Sequence, residues 1–394
     1  MDYSIFEIVI QRMKILLIGE YSRFHNSLKE GLISLGHTAT IVGTGDAFKK
    51  YPVDISIVPT WSTSNGLMTK IKNLVYTLTK LDFAAVEIGY RFWKHREQMK
   101  GYDVVQFINS WSIRTTIAKE KKCIAFLEKH NKALFLSACG TDTPWIESLL
   151  NDTQLPYHML TPYLRNASLK NYYSPALKYV TPKYKTLYTY LEEKVRAIIP
   201  TDIDYYIALR DHKKATTLIP TPINIGRLDF KVAPIQSKIV IFHGINKSNY
   251  LKKGNDIFEE ALRVVQEKYA SQIEVITVES LPYTDYMKAY DEAHILLDQV
   301  YSHDQGYNAL EAMAKGKVVF TGAGTYFMEH YQLEHIVAIN ATPDSAQIAE
   351  ELEKLITHPE RIQEIAGNAR AFVEKYHDHK MIAQKYLDIW TKES

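Results

Sequence analysis

Cysteine is scarce: Cys123 and Cys139 are the two thiols of a 394-residue chain. Two such residues supply neither a disulfide framework nor a metal-ligand spacing, and they carry no sign of an oxidising compartment. Long apolar runs are missing as well. None approaches the roughly 18 to 20 residues of a bilayer-spanning helix, and the first residues lack the basic stretch and apolar core of an export signal. Nucleic-acid-binding motifs are also absent, and GTGDAF at 43–48 falls short of a dinucleotide fingerprint. These absences predict a cytosolic chain without a transmembrane segment, a resident metal or a nucleic-acid partner. The opening MDYSIFEIVIQR precedes MKILLIGE, whose methionine, Met13, reads either as the natural start or as the beginning of a strand behind a leader or edge strand.

Hydrophobic content of 46% and the lack of low-complexity tracts predict two globular domains of ordinary size. The first half alternates strand and helix: KILLIGE, a helical period over 27–35, GHTATIVG, DISIV, a long helical tract, YDVVQFIN, a helix over 117–129 and ALFLSAC. The second half repeats the logic with IVIF, IEVITV, a helix near 285–292, ILLD, VVFTG and IVAI. Such alternation builds parallel, doubly wound sheets with helices on both faces. We place the first domain at 1–220, a Pro- and Gly-rich linker at 221–236 (within TPINIGRLDFKVAPIQSK) and the second domain at 237–375. A last helix over about 376–394 is expected to cross back onto the first domain.

Charge is divided unevenly. Residues 1–230 hold 30 basic and 21 acidic side chains, whereas 231–394 hold 17 and 24. The basic excess includes the tract 67–100 and the tyrosine- and lysine-rich region 161–196, which suit either an anionic membrane surface or the solvated faces of packed helices.

The most informative stretch is DQVYSHDQGYNALEAMAKGKVVFTG at 298–322. A polar loop ends at Gly306, which allows close backbone approach or a positive φ, and a short helix follows, closed by Gly316. Free amides at that helix N-terminus suit phosphate. Glu311, one turn inside, can accept hydrogen bonds from the vicinal hydroxyls of a ribose. A second cluster, IVIFHGINKSNYLKKGNDIFEEAL at 239–262, runs from a strand through a lysine-bearing loop into an amphipathic helix, a layout that also suits phosphate.

Together these stretches resemble the nucleotide-sugar site of retaining GT-B glycosyltransferases of family 4, whose hallmark is Glu, seven residues, Glu, then Ala-Met-Ala-x-Gly. The second Glu matches Glu311, and the first falls on His303. Lys253-Gly254 matches the family's diphosphate-holding Lys-Gly, and Lys247 stands near the place of its Arg. Asp298-Gln299 resembles a branch in which the strand ends in Asp-Gln before the loop. The resemblance implies an α/β GT-B fold, two Rossmann-like domains facing a central cleft. It further implies a catalytic set of Lys247, Lys253 and Glu311, with Gly244, Gly254, His303, Asp304, Gln305, Gly306, Tyr307 and Asn308 around the donor.

In the first half, LLIGEYSRFHNSLKEGLISLGHTATIVG resembles the family's opening but lacks the glycine pair many relatives carry after the first strand. Glu20, Ser22 and His25 are placed there to contact the acceptor with side chains. Asn109, at the end of YDVVQFIN, stands where relatives often carry a histidine. Asp142 in SACGTDTPW resembles a cleft residue, though it equally suits the N-cap of a following helix.

The implied activity is transfer of a hexosyl group from a nucleotide-diphosphate sugar, with retention and no obligatory metal or other cofactor. The acceptor would be a glycan or lipid-linked glycan of surface polysaccharide or glycolipid synthesis, reached from the cytoplasm by peripheral contact with the membrane. Two alternatives stand beside it: a catalytically degenerate GT-B binding module and a sugar-nucleotide epimerase. Asp202-Ile203-Asp204 mimics a metal motif of another glycosyltransferase fold, but it precedes an expected strand, YYIAL, and is set aside. His377, Asp378 and His379 are set aside too, on an expected solvated helix where residues two apart do not share a face.

Overall fold

Two parallel sheets organise the chain, each with short central strands that are mostly apolar. The structure is a computed structural model that describes residues 12–46, 49–62, 77, 82–151, 155–279 and 290–393. The expectations for the leader, for most of the tract 67–80, for the end of GTGDAF and for most of the helix near 285–292 lie outside the described residues.

The chain divides into two compact units. The first comprises Met1–Gly140, Thr186–Ile199 and His379–Ser394, and the second comprises Thr141–Lys185 and Pro200–Asp378. Strands β1 (Lys14–Ile18), β2 (Thr38–Gly43), β3 (Ile55–Ser56), β4 (Val104–Phe107), β5 (Ala133–Ala138) and β6 (Ile198–Pro200) form one sheet in the order β3-β2-β1-β4-β5-β6. Ile15 to Ile18, Val104, Val105 and Phe107 are all buried. Continuous burial along a strand means that both sheet faces are covered, as parallel sheets require. The helix Phe24–Ser34 ends in a Schellman turn, with Gly36 at φ +88° and the amides of Gly36 and His37 donating to the carbonyls of Ile33 and Leu32.

The helix His379–Glu393 packs into this first unit. Trp390 Nε1 donates to Gln106 Oε1 at 2.9 Å, and the hydroxyls of Tyr386 and Ser137 meet at 3.0 Å. It lies tightly against Gly31: a Cβ there would lie 2.1 Å from the His379 carbonyl oxygen and 2.8 Å from Ala383 Cβ.

In the second unit, β7 (Ile239–Ile245), β8 (Ile273–Glu279), β9 (Ile295–Leu297), β10 (Val318–Thr321) and β11 (Ile339–Asn340) pair in parallel in the order β11-β10-β9-β7-β8. Alternate residues feed two cores. Ile241, Ile295, Leu297, Val318 and Phe320 join the helices Asn255–Tyr269 and Ser345–Thr357. Phe242, Leu296 and Val319 join Tyr307–Ala314 and Glu360–His377.

Three local expectations are corrected. YYIAL is not a strand: Ile203–Leu209 is helical, because Asp202 accepts from the Tyr205 amide at 3.0 Å and caps it. His377 and His379 are buried rather than solvated, at a break centred on Asp378, and His377 Nδ1 lies 2.9 Å from the Thr221 carbonyl oxygen. IVAI pairs only through its last residue, since β11 is Ile339–Asn340. The stretch TPINIGRLDFKVAPIQSK packs on the second unit: Ile223 is buried, its amide donates to the His377 carbonyl, and the Lys231 amide donates to that of Lys315.

Candidate functional site

In a doubly wound sheet, the crevice for a ligand opens beyond the carboxyl ends of the strands where the winding reverses. In the second unit that point lies between β7 and β9, so the segments after Ile245 and Leu297 are the ones to build from. After β7 the chain makes a 3-10 turn, Lys247–Asn249, and one helical turn, Tyr250–Lys253. Gly254 then turns left-handed at φ +71°, and a Cβ there would meet Val300 Cβ at 2.7 Å. Only glycine tolerates both constraints. The turn brings Lys253 to the end of β9, where its ammonium lies 2.7 Å from Asp298 Oδ1 and its carbonyl accepts from the Val300 amide. Asp298 Oδ2 accepts from Thr321 Oγ1 at 3.3 Å. A buried carboxylate thus orients a partly buried lysine at the switch point.

Lys247 follows another course. Its ammonium pairs with Glu279, at the end of β8, at 2.7 Å, and its side chain is largely exposed. Gly244 stays inside β7, paired with Val278. Gly306 opens the helix Tyr307–Ala314 with φ −73°, so the positive φ allowed for it is not used. The nearest atom to a Cβ on Gly306 is Asp298 Oδ2 at 3.9 Å, which leaves the loop room beside that carboxylate. Tyr307 is buried, Asn308 is exposed, and Glu311 is half-buried one turn on. Gly316, at φ +87°, closes the helix in a second Schellman turn.

The loop before this helix is held from every side. His303 stacks on Tyr157 at 5.0 Å between centroids, its Nε2 lies 3.0 Å from the Tyr157 carbonyl, and its amide donates to Asp204. Asp304 accepts from the amides of Ile203 and Gln305 at 2.8 and 2.7 Å. Gln305 Nε2 donates to the Gly322 carbonyl at 2.6 Å, which fixes the amide orientation and leaves Oε1 buried without a partner among the described residues. Gly322 has no space for a side chain: a Cβ would sit 2.4 Å from the Ser302 carbonyl and 2.5 Å from the Asp304 amide nitrogen. Burial raises Asp202, Asp204 and Asp304 together, and it brings Asp304 to about 7 despite the backbone donors that oppose the shift.

In the first unit the corresponding switch lies between β1 and β4. Gly19 leaves β1 at φ +90° with its Cβ position filled by Ile108. Three non-glycine residues on the loops after these strands are left-handed: Ser22, Arg23 and Arg114, at φ 47°, 70° and 64°. Such outliers concentrate where function demands a particular backbone. Buried Glu120 helps hold the second loop by accepting from the amides of Ile113 and Thr115, and Arg114 lies over the Tyr21 ring at 4.7 Å.

Glu20 is buried, its Oε2 accepts from the amide and side chain of Asn26, and its Oε1 has no partner among the described residues. Desolvation pushes it up to about 7 against the bonds from Asn26. His25 is also buried, with Nδ1 2.7 Å from the Gly19 carbonyl, and burial lowers it to about 4. Asn109 is buried at the end of β4, donating to the Cys139 carbonyl and accepting from the Trp111 amide. Asp142 belongs to the second unit and begins the helix Thr143–Asn151, with Oδ1 accepting from the Thr143 amide at 2.8 Å.

Glu20 yields a stability prediction. Its folded value, about 7, lies above the ordinary 4.5, so the folded state holds the proton more tightly and charging it costs stability as pH rises between those values. Relative to Glu20→Gln, the wild-type protein should lose stability from pH 5 to pH 7, by up to about 3 kcal/mol, and the difference should level off above. Urea melts of both proteins across that range check the slope; a difference that stays flat removes the buried-acid description.

Sequence reasoning singled out the loop 303–308 and Lys253, which the structure gathers with Asp298 at the end of β9. It left out Asp298 as a site residue, as well as Thr321, Gly322, Tyr157 and Asp204. For Asp298 a local signal existed, since it ends ILLD; Tyr157 and Asp204 reach the loop from 146 and 99 residues away and leave no local trace.

Comparison with known proteins identifies the fold. A sucrose-phosphate synthase from Thermosynechococcus elongatus superposes with a TM-score of 0.60 at 13% identity, covering 97% of this chain and 99% of that one. Anabaena HepE, solved in complex with UDP and glucose, gives 0.57 at 13% identity over 97% and 100%. A UDP-GlcNAc 2-epimerase from Neisseria meningitidis, bound to UDP-GlcNAc, gives 0.51 at 13% identity over 96% and 100%. The fold class is α/β GT-B, with two Rossmann-like units. No curated protein sequence matches the chain closely enough to count as a relative. Residues 251–388, from the turn bearing Lys253 into the last helix, match the model of a family described as glycosyl transferase-like.

Proposed function

We propose that this protein is a glycosyltransferase that moves a hexosyl group from a nucleotide-diphosphate sugar, with retention of configuration, in the manner of family 4. The observation that carries this reading is the convergence of Lys253, held by Asp298, with the loop and helix that bear Gly306 and Glu311 at the second sheet's switch point. Lys253 would meet the diphosphate and neutralise charge developing on it as the glycosidic bond breaks. Glu311 would take the ribose hydroxyls. The loop 303–305 would face the sugar, and Gln305 Oε1, buried without a partner among the described residues, would accept from a hydroxyl that reaches it. Lys247, turned to Glu279, would contribute a more distant charge or move on binding. UDP is the first nucleotide to test, since HepE was solved with it. The resemblance implies that the departing phosphate oxygen helps remove the acceptor proton, without an obligatory metal.

Thermal shifts of the purified chain with UDP, GDP, ADP and their common sugar conjugates test this directly, because a ligand that binds the native state raises the melting temperature. Stabilisation by one nucleotide family is the expected result. A cooperative melt that no nucleotide moves would favour a degenerate binding module. The likeness to the Neisseria epimerase supports a second reading, distinguished by its product: an isomerised sugar nucleotide formed without acceptor.

For the acceptor side we place Glu20, His25 and Asn109, all on the first unit, in contact with a glycan or lipid-linked glycan. Peripheral contact with an anionic membrane is supported by the stretch 155–191, which has no Asp or Glu but carries Arg165, Lys170, Lys178, Lys183 and Lys185. Leu164 within it is exposed. Cosedimentation with anionic vesicles at low salt, lost at high salt, is expected. Recovery of the protein wholly in the supernatant at low salt would remove the membrane.

A further inference from the structure

The pair Asp202 and Asp204, set aside as a metal motif, has a different use. Asp204 is the second residue of the helix Ile203–Leu209, yet its carboxylate serves the loop 302–305. Ser302 Oγ donates to Asp204 Oδ2 at 2.5 Å, and the His303 amide donates to the same oxygen at 3.2 Å. Asp304 answers in the other direction, taking the Ile203 amide at 2.8 Å. The helix start and the loop therefore exchange donors for carboxylates across 98 to 101 residues of sequence. A carboxyl group can hold several donors at once, and each such bond is directional. These acids are engaged by protein donors.

The exchange fixes the loop backbone, and His303 is then fixed as a ring by its stack on Tyr157 and by its Nε2 contact with the Tyr157 carbonyl. What the loop retains is Gln305 Oε1, buried and without a protein partner among the described residues. An acceptor atom left in that state inside a clamped loop is suited to a ligand hydroxyl, because leaving it unpaired costs free energy that a donor recovers.

We infer that Asp204 is a positioning residue for the donor sugar: by accepting from Ser302 and His303 it fixes the loop that reads the sugar, an inference that rests on the transferase reading and deepens it. In that reading Lys253 and Glu311, rather than Asp204, hold the nucleotide. Its removal should therefore separate recognition of the sugar from recognition of the nucleotide.

The test is calorimetric titration of the full chain with UDP, GDP and ADP, and with UDP-glucose, UDP-galactose, UDP-GlcNAc, GDP-mannose and ADP-glucose. The sugar conjugate that binds wild-type protein most tightly is then compared with its own nucleoside diphosphate in Asp204→Ala and Ser302→Ala. In Asp204→Ala, affinity for the conjugate should fall about tenfold, the size expected when the bonds from Ser302 and His303 are lost, while affinity for the nucleoside diphosphate stays within about twofold. Ser302→Ala, which removes one of the two donors and leaves the carboxylate, should show the same split at about threefold and covers the case in which Asp204→Ala does not fold. Equal losses for both ligands, or no loss for either, overturn the inference. So does a wild-type protein that binds no conjugate more tightly than its nucleoside diphosphate. Failure of wild-type protein to bind any of these compounds is a separate result, which sinks the transferase reading itself and this inference with it.

Discussion

Lys253→Ala should lower turnover by about a hundred- to a thousandfold, the range found when one preorganised group that stabilises transition-state charge is removed. Two effects act in the same direction. The substitution removes the cation proposed to meet the departing diphosphate. It also uncovers Asp298, whose carboxylate is 4% exposed and, without the lysine, would present a bare negative charge to a dianionic leaving group. The mutant should therefore fare worse than a protein that never had the pair. Lys253→Ala combined with Asp298→Asn separates the two effects: it should recover part of the lost donor affinity while remaining slow, because only the repulsion has been relieved. Steady-state kinetics with the donor found by thermal shift, read beside melting curves that remain cooperative, provide the check. Unchanged turnover in the single variant would remove Lys253 from the chemistry.

Gly31→Ala should destabilise the protein by about 2–3 kcal/mol, against the usual sign. Alanine is the better helix former by about 1 kcal/mol, so on an exposed helix the change would stabilise. Here the added methyl would lie 2.1 Å from the carbonyl oxygen of His379, with Ala383 Cβ at 2.8 Å. A backbone carbonyl cannot rotate aside as a side chain can, so the helix His379–Glu393 has to shift, straining the bond from Trp390 to Gln106 and the contact of Tyr386 with Ser137. Urea melts should show the loss, and hydrogen exchange should show amides of 379–393 opening more readily than those of 360–377. A neutral or stabilising Gly31→Ala would mean that the two helices do not meet at this point.

Both sheets were legible because parallel strands covered on two faces must be apolar throughout; KILLI, ALFLSA and VVFT could be little else. The helix end at Gly316 was legible for a similarly local reason, since a left-handed turn calls for glycine. YYIAL misled because tyrosine and isoleucine favour strands while one aspartate before them decides for helix through its cap. The break at Asp378 carried no glycine or proline, and the burial of His377 and His379 depends on partners elsewhere in the chain. In the candidate site, residues contiguous with a motif, such as Lys253 and the loop 303–306, could be read. The clamps on that loop could not: Tyr157 and Asp204 have ordinary local surroundings and acquire meaning only when the second unit folds.

The return of the helix His379–Glu393 to the first unit sets an order of events during synthesis. The strands of the first sheet up to β5 leave the ribosome early, but the side chains of Gln106 and Ser137 must wait for Trp390 and Tyr386, which emerge after the whole second unit. The second unit has all its residues once Asp378 is out. The unit whose synthesis begins first is thus the last to be finished. Until then the face of the helix Phe24–Ser34 that carries Gly31 waits for the helix that covers it.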